Sequence, residues 1–167
     1  TDRKNANICS DLMDQAFCDT LPAEIIKTPL QLDILVNNAG IVTQGKFTEA
    51  SDPNFAQNYD QFRGPLLPIP GSNWDYVERG GGELVNTACR WELHPRPDHP
   101  IYVMSKAAIA SLTQCLGRDH THQNIRVNAV CPNEVNTSML RTGFAIRGLD
   151  PDRAVEELNA SVPLGRI

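Results

Sequence analysis

No run of apolar residues in this 167-residue chain approaches the roughly eighteen that a membrane-spanning helix needs. No basic run occurs either, and the formal net charge is -5, so neither a membrane nor a nucleic acid is expected as a partner. The opening TDRKNANICSDLMDQ lacks the apolar core of a secretory signal, and the expected compartment is cytoplasmic. Without a secretory route, the sequons Asn136-Thr137-Ser138 and Asn159-Ala160-Ser161 are read as coincidence. No C-x-x-C pair is present: Cys9, Cys18, Cys89, Cys115 and Cys131 are scattered and odd in number, which suits reduced thiols better than a disulfide framework. There is no internal repeat. Nothing before Leu32 supplies the glycine-rich turn on which a nucleotide fold seats a pyrophosphate. The run Gly80-Gly81-Gly82 is no substitute, because it precedes a strand instead of following one.

What is present is ordinary globular composition, 41% apolar and 21% charged, at a length that suits one domain over residues 1–167. Three short β-branched runs bounded by breakers read as buried strands: LDILV (residues 32–36), ELVNTA (83–88) and IRVNAVC (125–131). Helices are expected over Asp14 to Ile26, interrupted by Pro22, and from Ser51-Asp52-Pro53 through about Tyr59. The clearest helix runs from Ile101 to Leu116, with a stripe of Ile101, Met104, Ala108, Leu112 and Cys115. Another starts at Asp150-Pro151 and continues through Leu158. Strands alternating with helices imply βαβ units and a parallel sheet. Between Tyr59 and Arg79, Pro65, Pro68 and Pro70 exclude a continuous crossover helix, since each would cost about 3 kcal/mol in a helix interior.

Chemistry concentrates at the ends of these strands. Tyr102 and Lys106 are four apart and share one helix face. A phenol is a poor base at neutral pH, and a neighbouring ammonium favours its ionised form. Such a Tyr can exchange a proton with an alcohol or ketone oxygen. On spacing alone, a surface Tyr and Lys explain the pattern as well. Cys89 and the segment NNAG lie at strand ends, where open α/β sheets bind ligands. There Asn37 and Asn38 offer amides, and Gly40 permits close backbone approach. No metal is expected: His120 and His122 lack a carboxylate or cysteine spaced to complete a site. His94 and His99 lie in a loop near the presumed substrate mouth, and Trp74 and Trp91 are read as covering apolar surface.

LDILVNNAG (32–40), YVMSK (102–106) and IRVNAVCPNEVNT (125–137), in that order, resemble the short-chain dehydrogenases/reductases, among them the 3-oxoacyl-ACP-reductase-like members. GGGELVNTA and the closing VPLGRI extend the resemblance over most of the chain. It implies a Rossmann-like, doubly wound parallel sheet lacking the first βα unit and the last strand, and the use of NAD or NADP. It also implies that Tyr102 is the acid/base, that Lys106 lowers its pKa and holds the nicotinamide ribose, and that Asn38, Ala39 and Gly40 lie along the cofactor. Pro132, Asn133, Val135 and Thr137 match the loop that contacts the nicotinamide amide and pyrophosphate, and Asp11-Leu12 the pair at the adenine ring. Asp2 in the position of the ribose-binding acid slightly favours NAD.

Three positions depart from the pattern. Cys89 stands where the family has a substrate-binding Ser, and a thiol is the weaker donor. Gln61 aligns with the family's catalytic Asn. Asn133 replaces a Gly, although Asn tolerates positive φ better than most residues. The implied activity is interconversion of a small secondary alcohol and a ketone. The alternatives are a catalytically impaired member serving as a binding or structural protein, and an epimerase or dehydratase that shares the Tyr–Lys pair. The family commonly forms tetramers through the helix before GGG and the helix carrying the Tyr, so a homo-oligomer is slightly favoured.

Overall fold

The computed structural model describes residues 9, 11, 12, 14–26, 33–51, 53, 55, 56, 58 and 80–167. Its elements are helix α1 (Gln15–Ile26), strand β1 (Ile34–Asn37), β2 (Gly82–Thr87), α2 (Pro100–His120), β3 (Ile125–Val130), α3 (Ser138–Ile146) and α4 (Pro151–Ser161), with short 3-10 turns at Phe47–Glu49, Arg90–Glu92 and Thr121–Gln123. The three strands are parallel, in the order β1-β2-β3, as the Rossmann-like expectation requires. The strands fall within a residue or two of the expected runs.

Register decides which side chains share a face. Leu35 pairs with Leu84, and Leu84 with Val127, giving an apolar row across the sheet. Leu84 and Ile125 are its buried centre, with Leu35 and Val127 packed against them. One pair further along, the row turns polar: Asn37 pairs with Asn86. Helix α2 returns the chain from β2 to β3 and covers this face, as the Thr113–Asn86 hydrogen bond of 2.8 Å shows. A smaller apolar cluster joins α3 to α4 through Phe144, Ala154 and Val155. There Asp150 caps α4 by accepting from the N–H groups of Asp152 and Arg153, an interaction worth about 1 kcal/mol.

The glycine run has a structural use. Gly81 has φ +143, and a Cβ there would sit 2.6 Å from both the carbonyl oxygen and the side-chain nitrogen of Asn124. Asn124, itself left-handed at φ 59, donates from its side chain to the Gly80 carbonyl. The start of β2 thus docks on the turn leading into β3, an approach only glycine allows.

Some expectations change. Helix α1 is continuous through Pro22, so the proline removes one backbone donor without ending the helix. The buried face of α2 is not the expected stripe. Ile101, Ser105, Lys106, Ile109, Thr113 and Leu116 are buried, whereas Met104 is 51% exposed and Ala108 and Cys115 are exposed. Helix α3 was not anticipated; Thr137 caps it by accepting from the Leu140 N–H at 3.3 Å. Residues 53, 55, 56 and 58 are helical behind Ser51, as expected, and the Phe55 N–H donates to the Ser51 carbonyl at 3.2 Å. The proline-rich stretch from Tyr59 to Arg79, Gln61 within it, and Asp2 lie outside the described residues.

Candidate active site

The strand ends are cross-braced before any substrate group is placed. Asn37 donates to the Asn86 side-chain oxygen at 2.7 Å, Asn86 donates to the Thr113 hydroxyl at 2.8 Å, and Thr113 donates to the Ile109 carbonyl at 2.8 Å. Asn86 and Thr113 are 3% and 6% exposed, so this chain of amides ties β1, β2 and α2 together inside the core. Removing its centre deletes both hydrogen bonds and takes the donor away from the buried Thr113 hydroxyl. Asn86→Ala is therefore expected to cost about 2 kcal/mol and lower Tm by about 4–8 °C in a thermal melt.

Beyond the strand ends the pairing of β2 with β3 continues: the Ala88 N–H donates to the Val130 carbonyl and the Arg90 N–H to the Pro132 carbonyl. This holds the loops after the two strands side by side, and Arg90 reinforces it by donating to the Asn133 side chain at 3.2 Å. Between these loops, the NNAG segment, the start of α2 and the start of α3 opens a cleft of about 540 Å³.

Most of the sequence-derived site residues meet in this cleft. Cys89, Tyr102 and Lys106 line it, with Asn38, Ala39 and Gly40 on one wall and Pro132, Asn133, Val135 and Thr137 on another. Asp11 and Leu12 do not; they lie just before α1, where the Leu12 carbonyl accepts from the Cys18 thiol. Asn133 is not in the left-handed region: among the described non-glycine residues only Asp98 and Asn124 have positive φ, so its tolerance of that conformation is not used. His94 is exposed and does not line the cleft. His120 pairs with the Gln123 side chain at 2.7 Å, and no cluster able to hold a metal occurs among the described residues.

Lys106 is 5% exposed, and its ammonium donates to the Thr87 carbonyl at 2.8 Å. Burial lowers its pKa, opposed by the neighbouring Cys89 and Glu92. The ammonium lies 5.9 Å from the centre of the Tyr102 ring. Tyr102 is pushed up, against the lowering expected of a Lys partner: burial is the main cause, followed by the adjacent Cys89 and the Glu134 carboxylate. The phenol is thus held protonated, a donor at neutral pH. Cys89 is buried at the head of the Arg90–Glu92 turn, its sulfur accepting from the Trp91 N–H at 3.5 Å. No observation makes it a nucleophile.

Trp91, expected to cover apolar surface, instead lines the cleft and meets Tyr102 edge-on with ring centres 5.9 Å apart. Arg96 lies over the Trp91 ring, 5.1 Å from its centre, and pairs with Glu134 at 3.2 Å. Helix α3 supplies Met139, Leu140, Phe144 and Arg147 to the remaining wall. Its only advance signal was a Thr cap ahead of alternating apolar residues.

The cleft suits the nicotinamide half of a dinucleotide. The first turn of the nine-residue α3 borders it through Thr137 and Ser138, and unpaired N–H groups at a helix start favour a phosphate. Ala39, Ile41 and Val135 offer apolar surface to a flat ring, and Lys106 and Asn38 offer polar contacts to a ribose.

A family model described as short chain dehydrogenase matches residues 2–145. An uncharacterized oxidoreductase of Thermotoga maritima is 33% identical over 143 residues, covering 85% of this chain and 57% of that protein. The L-xylulose reductase of Caenorhabditis elegans is 38% identical over 130 residues, covering 75% of this chain and 49% of that protein. The chain therefore spans about half the length of these curated relatives. The fold is shared with L-sorbose reductase from Gluconobacter frateurii, solved with NADPH and L-sorbose: the TM-score is 0.84 at 23% identity, over 96% of this chain and 63% of that one. With the matched segment reaching from before α1 into α3, and the Tyr–Lys helix and both strand-end loops inside it, the chain belongs to the short chain dehydrogenase family.

Proposed function

We propose that this chain carries the catalytic half of an NAD(P)-dependent oxidoreductase that interconverts a small secondary alcohol and a ketone. The carrying observation is the convergence of Tyr102 and Lys106 with the NNAG wall and the Pro132–Thr137 loop on one cleft. When bound, the nicotinamide supplies hydride to the carbonyl carbon. Tyr102 gives its phenolic proton to the carbonyl oxygen, which would otherwise carry the new negative charge. Lys106, anchored on the Thr87 carbonyl, holds a positive charge beside that phenol and a donor toward the ribose. Cys89 faces the same oxygen as a weak donor. Asn38, Ala39, Gly40, Pro132, Asn133, Val135 and Thr137 hold the cofactor, and Asp11, Leu12 and Gln61 retain their sequence-based roles at the adenine and in catalysis. The cofactor is NAD or NADP, and Asp2 keeps the slight preference for NAD. The relatives' names point to polyols and ketoses, such as L-xylulose and L-sorbose, as the substrate class.

A second reading is an impaired member that binds ligand without efficient turnover. The Cys89 thiol and the raised Tyr102 pKa favour it. Monitoring cofactor oxidation with small ketoses separates the two. Ketose-dependent turnover supports the enzyme; saturable cofactor binding with no turnover supports the impaired form. A homo-oligomer is proposed on family resemblance, with the exposed Met104 side of α2 as its contact. No helix among the described residues is long and apolar enough to cross a membrane.

A further inference from the structure

We propose that His99 determines substrate specificity in this cleft, as a fixed hydrogen-bond acceptor for a hydroxyl on the carbon beside the substrate carbonyl. It would select α-hydroxy ketones and the vicinal diols they become on reduction. The inference rests on the reading above, in which the carbonyl oxygen takes its proton from Tyr102.

Four observations converge on the ring. His99 is only 6% exposed, and it lines the cleft. Its Nδ1 lies 2.8 Å from the Pro97 carbonyl, which can only accept, so Nδ1 carries the proton. In the neutral ring Nε2 is then an acceptor, and no donor among the described residues hydrogen-bonds it. Trp91 fixes the ring's orientation, meeting it edge-on at 4.9 Å between centres, and the same indole contacts Tyr102 at 5.9 Å. Finally, Asp98 is held at φ 62 immediately before His99. A non-glycine residue is strained there, and such strain persists where surrounding structure over-determines a site.

His99 is the N-cap of α2, three residues before Tyr102, and Trp91 meets both rings edge-on. The acid and the acceptor are therefore neighbours with complementary demands. A carbonyl oxygen accepts from the phenol while a hydroxyl on the adjacent carbon donates to Nε2. A ketone lacking that hydroxyl leaves a largely buried acceptor unpaired, which a site built for hydrogen bonding penalises.

The test compares kcat/KM for hydroxyacetone and acetone, which differ by the one hydroxyl, using the full chain with NADH and NADPH. Wild type should prefer hydroxyacetone, and His99→Phe should lower that preference about tenfold. His99→Gln, whose amide oxygen accepts, should regain part of it. An unchanged preference in His99→Phe overturns the proposal even if both rates fall, because a structural role would depress both alike. Nitrogen-15 spectra of the imidazole provide an arm independent of turnover. Nε2 should be the unprotonated nitrogen and should shift on adding hydroxyacetone but not acetone; no shift overturns the proposal. Failure of wild type to reduce either ketone would count against the acid/base reading, and the spectra would still decide the role of His99.

Discussion

Tyr102→Phe is expected to lower turnover about a thousandfold while changing the cofactor dissociation constant less than about twofold. The substitution removes one oxygen and keeps the ring, so the edge-on contact with Trp91 survives and α2 loses no backbone bond. What disappears is the proton that must reach the carbonyl oxygen as hydride arrives at carbon. Water is a poor replacement, because nothing holds it at that oxygen with the right protonation. Steady-state kinetics and a cofactor titration on the same preparation check both halves. A loss shared between turnover and cofactor affinity would indicate a misfolded cleft, and retained turnover would remove Tyr102 from the chemistry.

Cys89→Ser is expected to raise kcat/KM for ketone reduction about ten- to hundredfold, less than the roughly hundred- to thousandfold lost when an oxyanion donor is removed outright, because the thiol already donates weakly. A serine hydroxyl is shorter and a stronger donor than the thiol. The same change alters the pH dependence. After burial, Cys89 is the next cause of the raised Tyr102 pKa, so replacing it with a group that does not ionise brings the phenol down. The sign differs for the two directions. Reduction uses the protonated phenol, present below its pKa and lost above it, so reduction should be flat through neutral pH as far as Tyr102 is concerned. Alcohol oxidation uses the phenolate, so its rate should climb with pH beyond the ordinary tyrosine range. In Cys89→Ser the oxidation limb should move to lower pH. Rate–pH profiles in both directions measure this. An unmoved limb and an unchanged rate would place residue 89 away from the substrate oxygen.

The site was more legible in the sequence than the packing around it. Tyr102 and Lys106 are four apart on one helix, and that spacing alone puts them on a common face wherever the helix docks. The strand ends were equally local, since NNAG and Pro132 stop the ladders where the cleft begins. The docking of α2 was not local. Apolarity favoured Met104, Ala108 and Cys115, yet the helix turns Ser105, Lys106 and Thr113 inward. The deciding contacts are polar and remote in sequence: Thr113 to Asn86 and Lys106 to the Thr87 carbonyl. A hydrophobic stripe cannot register buried groups that satisfy one another. Helix α3 escaped for a related reason. Thr137 had already been given a cofactor role, and its side chain also caps the helix that forms the far wall. Trp91 looked like cover until the chain brought it between His99 and Tyr102, and His99 gained significance only when its Nδ1 was seen to face the Pro97 carbonyl.

A nicotinamide dinucleotide is expected to seat in this cleft. Calorimetric titration of the chain with NADH and with NADPH, followed in parallel by cofactor fluorescence, tests it most directly. Saturable one-site binding of at least one of them is expected, with Lys106→Met weakening it through the lost ribose contact. No heat and no fluorescence change up to millimolar cofactor would contradict it.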